Sequence, residues 1–219
     1  MADATKTETI TFGDSSVMHS ETVKFLPVVL ARMGFKIRRL AADVFGCPEE
    51  KHEEIERRFL FSKPPDFAKG ALRYAIKIYI EQIYIRASKK RDDKCRIRKC
   101  SVGEFHVYYK TKKYKLGHGR KCEIEKRISK EEYLRLSTFK ERDTKTIVKT
   151  RYCFLYKNQY FELDAFHNPP NLYILEIELR HINKQVKLPP YFCIKREITD
   201  EPAYSNHELA RIKQTRKHN

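Results

Sequence analysis

The chain has six cysteines and eight histidines but no CxxC pair, no HExxH and no finger-like Cys/His partnership. Cys47, Cys95, Cys100, Cys122, Cys153 and Cys193 are scattered, so they read as reduced thiols rather than a disulfide framework or a zinc site. No apolar run approaches a membrane span. Met1 to Ser16 is polar rather than signal-like, and the expectation is a soluble, cytoplasmic protein without a transmembrane segment. There is no internal repeat, no low-complexity segment and no GxxxxGKS/T phosphate loop. Gly117-His118-Gly119-Arg120 lacks the Lys-Ser/Thr ending and opens no helix, so it reads as a hairpin turn. The absence of any zinc-finger, RNP-like or homeodomain pattern argues against nucleic acid as the partner.

What the chain does have is charge and enough apolar residues to pack. Its 219 residues carry a net charge of +17, which favours polyanions: nucleic acid, phosphorylated small molecules or an anionic membrane surface. With 41% hydrophobic and 12% aromatic residues, it can still build a core, so it is not a disordered basic tail.

Residues 1–20 read as disordered and residues 21–50 as a helical lead-in, with Ile37, Leu40, Ala41, Val44 and Phe45 on one face. A β-rich body follows from 51 to 212, and residues 213–219 form a basic tail. Strands are expected at Glu53–Phe61, Ala75–Arg86, Lys94–Cys100, Glu104–Lys112, Lys121–Ile128, Lys145–Tyr156, Tyr160–Phe166, Leu172–His181 and Cys193–Thr199. Ser129-Lys130-Glu131-Glu132 is a capping box that opens a helix, and Asn158-Gln159 marks a tight turn. The count of about eight strands in antiparallel meanders, without βαβ alternation, predicts a closed barrel with a few flanking helices, an α+β fold.

Strand parity then exposes a charged stripe, because residues two apart share a face. Glu54, Glu56 and Arg58 share one, as do Arg96 with Arg98, Lys110 with Lys112, and Glu123, Glu125 and Arg127. So do Lys149 with Arg151, Glu162 with Asp164, and Glu176, Glu178 and Arg180, while Arg196 stands alone in the last strand. A solvated outer face would explain any one strand. Recurrence over so many strands, with apolar residues at the alternate positions, points instead to charges lining a wet tunnel. Carboxylates suit Mg²⁺ or Mn²⁺, and a ring of Arg and Lys suits phosphoryl oxygens, so the tunnel would hold a metal–polyphosphate complex.

Glu-Ile-Glu-Arg-Arg-Phe-Leu at 54–60 resembles the ExExK signature of CYTH domains, the triphosphate tunnel metalloenzymes. Ile80–Ile85, Arg96-Ile97-Arg98, Leu175–Glu178 and Arg196–Asn206 resemble its later signatures. Lys149–Asp164 and Leu188–Phe192 are similar to the C-terminal CYTH-like half of TRPL-translocation-defect proteins, whose P-loop domain is matched here only by Phe35–Phe45. The resemblance implies an eight-stranded antiparallel triphosphate-tunnel barrel. It implies that Glu54, Glu56, Glu176 and Glu178 hold the divalent metal, with Glu56 and Glu178 catalytic. Arg58, Arg96, Arg98, Lys110, Lys112, Lys149, Arg151 and Arg196 would bind phosphate, and Glu123, Glu125, Glu162 and Asp164 would also line the tunnel. The signature Lys is Arg58 here, a rigid fork in place of an ammonium. Two functions follow: Mg²⁺- or Mn²⁺-dependent hydrolysis of a triphosphate or nucleotide, or non-catalytic binding of GTP or phosphoinositide in membrane trafficking.

Overall fold

The computed structural model describes residues 50–53, 55–86, 94–117, 120–179 and 184–212. The expected disordered start, the helical lead-in up to residue 49, Glu54, the His118-Gly119 turn, Arg180 and the basic tail lie outside the described residues.

Ten strands make one sheet: β1 (Glu50–Glu53), β2 (Glu56–Phe61), β3 (Ile76–Ile85), β4 (Lys94–Val102), β5 (Phe105–Gly117), β6 (Arg120–Ile128), β7 (Ile147–Tyr156), β8 (Gln159–Asn168), β9 (Leu172–Glu178) and β10 (Ile194–Glu197). The order is β1-β6-β5-β4-β3-β7-β8-β9-β2-β10, and every neighbouring pair is antiparallel. The eight-stranded closed barrel is therefore corrected to an open sheet, with β1 and β10 as its edges among the described residues. The difference arises at 50–61, which looks like one strand from Glu53 onward. Residues 50–53 pair with β6, whereas 56–60 pair with β9 at the far end of the sheet. Only two residues separate those halves, so the Cα atoms of Glu53 and Glu56 are at most about 11 Å apart. The chain itself pulls the two ends of the sheet together, and the sheet curls.

Local chemistry sets the turns. Gly103, at φ 58°, lets β4 double back into β5 with Val102 opposite Phe105. Lys157 and Asn158, at φ 47° and 58°, form the two-residue turn between β7 and β8, one position before the expected Asn158-Gln159. β5 continues to Gly117, past the end expected at Lys112. Helix α1 (Lys130–Ser137) starts at the capping box: Glu132 donates its backbone N–H to the Ser129 hydroxyl at 3.1 Å.

Two apolar clusters cover the outer face of the curl. Phe59, Phe61, Phe161, Leu163, Leu175 and Ile177 lie under the 3-10 helix Gly70–Tyr74 and the segment from Val186 to Phe192. Ile85, Cys95, Ile97 and Ile128 lie under Tyr133 and Leu136 of α1. On the inner face, Leu60, Tyr84, Ile147, Phe166 and Ile174 form a plug at one end. Ile198 closes it together with Ala210 of α2 (Asn206–Ala210). Tyr84 and Leu60 belong to strands that are not neighbours in the sheet, yet they share this cluster, as a curled sheet requires. Among the described residues no helix is long and apolar enough to cross a membrane.

Candidate functional site

Cross-strand partners share a face of a sheet, so the register sorts every charged side chain. Arg151 pairs with Asp164, Glu162 with Glu176, Arg58 with Glu176, and Glu56 with Glu178. Across β3, Gln82 pairs with Arg98 and Tyr84 with Arg96; Arg96 then faces Thr111, Thr111 faces Glu125, and Lys113 faces Glu123. Lys149 is opposite Ile80 on the same face. This face is the one that carries the apolar plug, opposite Phe59 and Leu175. Asp164, Lys149, Glu123, Glu162 and Arg58 are 0%, 2%, 6%, 6% and 8% exposed, which rules out a solvated outer face for them.

Lys110 and Lys112 do not belong to it. They pair with Ile97 and Lys126, and with Cys95 and Ile124, on the opposite face. Lys110-Thr111-Lys112-Lys113 carries cations at both parities, so parity alone could not choose between them. Register shows that Thr111 and Lys113 are the inward pair. Lys113 Nζ lies 2.7 Å from Glu123 Oε2, and the buried Thr111 hydroxyl donates to Glu125 Oε2 at 2.7 Å. Gln82 and Tyr84 also lie on this face, with Gln82 Nε2 donating to Tyr84 Oη at 3.0 Å. Being uncharged, they gave no signal in a search for charged parity.

Two further positions depart from the resemblance. Arg58 commits its terminal nitrogens to backbone, donating to the carbonyls of Tyr204 and Thr199 at 3.1 Å and of Ile198 at 3.4 Å. It anchors the segment after β10, while its buried Nε, 3.6 Å from Glu56 Oε1, has no hydrogen-bond partner. Arg196 has a 42% exposed side chain, ion-pairs with Glu201 and stands over the Tyr204 ring at the edge strand, outside the buried group. Glu54 lies outside the described residues.

The buried charges form two networks separated by the uncharged inward residues of β3. In the first, Arg96 donates to Glu123 Oε1 at 2.9 Å and Arg98 to Glu125. In the second, Arg151 donates through Nε and Nη2 to both oxygens of Asp164 at 2.7 Å, through Nη2 to Glu176 at 2.8 Å, and also to Glu162. Lys149 Nζ is 2.5 Å from Asp164 Oδ2 and 3.4 Å from Asn206 Oδ1 of α2.

Burial alone would raise Asp164, but Arg151 and Lys149 outweigh it and hold its carboxyl well below the usual range. Burial likewise opposes Glu123, and Arg96, Lys113 and Arg98 win. Carboxyls depressed in the fold stabilise it above their unfolded pKa of about 4, and that stability is lost as pH falls through the lower folded values. Stability to urea should hold from pH 7 to about pH 4 and then drop steeply. Asp164→Asn should flatten that acid limb, and an unchanged limb would remove the network from the account. On the same face, burial and then Glu162 push the Cys153 thiol up to about 12, so it supplies no thiolate nucleophile at neutral pH.

Glu56 and Glu178 stand directly opposite each other on β2 and β9. Among the described residues, no group of three or more His, Cys, Asp or Glu side chains converges as a ready-made metal cage.

No protein-family model matches the chain. No curated protein matches it either. Solved structures do show similarity. The inorganic triphosphatase NE1496 is 27% identical, covers 72% of this chain and 93% of its own, and gives a TM-score of 0.49. A putative adenylyl cyclase from Hippeastrum, described as having a dominant triphosphatase activity, is 14% identical over 58% of this chain and 80% of its own, at a TM-score of 0.42. A putative adenylate cyclase from Bacillus halodurans is 20% identical over 60% and 83%, at 0.44.

Proposed function

We propose that the buried charged face binds the phosphate chain of a triphosphate and supports its hydrolysis with Mg²⁺ or Mn²⁺. The observation that carries this reading lies on β4. Arg96 and Arg98, two residues apart on the inner face, each keep a buried Nε–H without a hydrogen-bond partner. A buried donor left unsatisfied costs free energy. Phosphoryl oxygens are the acceptors a guanidinium fork fits best. Their terminal nitrogens stay on Glu123 and Glu125, which fixes both forks in place. Arg151 and Lys149 are held by Asp164, Glu162 and Glu176, so their part is to fix that side of the face.

The acids at the other end of the face suit a hard divalent cation. Like charges on directly opposed strand positions repel, and Glu56 and Glu178 are such a pair. Mg²⁺ is commonly held by one or two carboxylates together with substrate phosphates, so this pair fits it without a cage. Glu56 and Glu178 would hold the ion, with Glu176 beside them. When bound, the ion would neutralise phosphoryl charge and favour attack by water. The carboxylates themselves would orient that water, and no covalent nucleophile is required.

The test is phosphate release from tripolyphosphate, with binding measured in parallel by calorimetry. Release that needs Mg²⁺ or Mn²⁺ is expected. Binding without release under either metal would refute hydrolysis, and absence of binding would refute the phosphate site itself.

A further inference from the structure

One inner-face feature is not used by a phosphate chain. Beyond the charged band, at the end opposite the plug, Ile76, Ile78, Leu155 and Tyr160 pack around the buried Cys153, and all four remain partly exposed. Register ties this shelf directly to the charges. Ile78 is the cross-strand partner of Arg151, Ile76 of Cys153, and Cys153 of Glu162. Arg98, which takes the phosphate, pairs with Gln82, and Ile78 lies four residues along β3 from it, a span of about 13 Å, so a group several atoms long joined to the end of a bound phosphate chain would reach the shelf. The same face continues on β4 and β5 to Val102 and Phe105, which are 47% and 59% exposed. Apolar side chains on the wet face of a charged trough are costly unless something apolar covers them.

We infer that the ligand of this site is an ester, a di- or triphosphate joined to an apolar group such as an alkyl or prenyl chain, with Ile76, Ile78, Leu155 and Tyr160 receiving that group. This rests on the phosphate reading above. A nucleobase suits the shelf less well. Its ring edge carries donors and acceptors that need partners, and four of the five shelf side chains are aliphatic or a thiol. The remaining hydroxyl belongs to Tyr160, which packs against Cys153. A branched aliphatic surface instead gains from any contact that excludes water.

The experiment compares inorganic pyrophosphate, geranyl diphosphate and GDP by calorimetry, on the wild type and on Ile78→Gln and Leu155→Gln. Both positions are partly exposed, and melting curves check that the variants fold. Geranyl diphosphate should bind on the order of tenfold more tightly than pyrophosphate. Either variant should remove that advantage and leave pyrophosphate affinity unchanged. Equal affinity for pyrophosphate and geranyl diphosphate overturns the inference while leaving the phosphate site standing. GDP that binds as tightly as geranyl diphosphate, and is equally weakened by Ile78→Gln, overturns it in favour of a nucleotide. Failure of all three, and of tripolyphosphate as well, to bind rejects the phosphate reading and this one with it.

Discussion

Arg151→Ala should bring the protein close to unfolding. The Arg151 guanidinium sits on both oxygens of Asp164 and also serves Glu162 and Glu176. Asp164 is fully buried and Glu162 nearly so. Removing the cation takes the guanidinium from three carboxylates, of which Asp164 keeps Lys149. Breaking a buried ion pair by deleting one partner costs about 3–5 kcal/mol, against a total stability of about 5–15 kcal/mol for a domain. For a chain of this size the melting temperature should fall by about 6–20 °C. Arg151→Lys should recover only part of the loss, because one ammonium cannot grip three carboxylates as a fork does. The control is Arg57→Ala on the outer face. Arg57 Nη2 lies 2.5 Å from Glu197 Oε2, but both side chains are about one-third exposed. That pair should contribute no more than about 1 kcal/mol. Melting curves and urea titrations decide the comparison: if Arg151→Ala costs no more than Arg57→Ala, the buried network does not hold the sheet together.

The alternation of charge was legible along most of the chain because it was strict. Glu176-Ile177-Glu178, Glu162-Leu163-Asp164 and Arg96-Ile97-Arg98 each place ions at one parity and an apolar residue at the other, and the register puts those ions on a single face. Lys110-Thr111-Lys112-Lys113 broke the rule. There the answer lay in pairing with β4, a non-local fact that a single strand cannot encode. Arg58 shows a different limit. Its position on the inner face was visible, but the carbonyls that occupy it come from residues 198–204, which follow the neighbouring strand β10 and lie 140 or more residues away in sequence. The number of strands and the closure failed for a similar reason. The strand expected at Glu53–Phe61 does not reveal that the chain before and after residues 54–55 pairs with opposite ends of the sheet. The apolar shelf was hidden because Ile76, Ile78 and Leu155 look like ordinary core residues until the register sets them beside Arg151 and Glu162.

Glu56→Gln and Glu178→Gln should separate the chemistry from the scaffold. Each change keeps size and removes one of the two opposed negative charges. If these carboxylates hold the cation and orient water, phosphate release from tripolyphosphate should fall by about 100-fold or more. The divalent-ion concentration needed for half-maximal activity should rise. Any loss of stability should stay small, because the like-charge repulsion that each change relieves offsets part of the contacts it removes, such as that of Glu56 with Arg58 Nε at 3.6 Å. Arg98→Ala should behave differently. It removes a fork whose Nε–H is free for phosphate, so tripolyphosphate affinity should fall while the metal requirement stays the same. Lys110→Ala and Lys112→Ala, on the opposite face, should leave both quantities within about twofold, since charges on the far side of the sheet act on the site only through screened long-range potential. Both glutamine variants turning over like wild type, with an unchanged metal requirement, would remove Glu56 and Glu178 from the reaction. A loss in Lys110→Ala as large as that in Arg98→Ala would mean that generic positive charge, rather than the buried forks of β4, holds the phosphates.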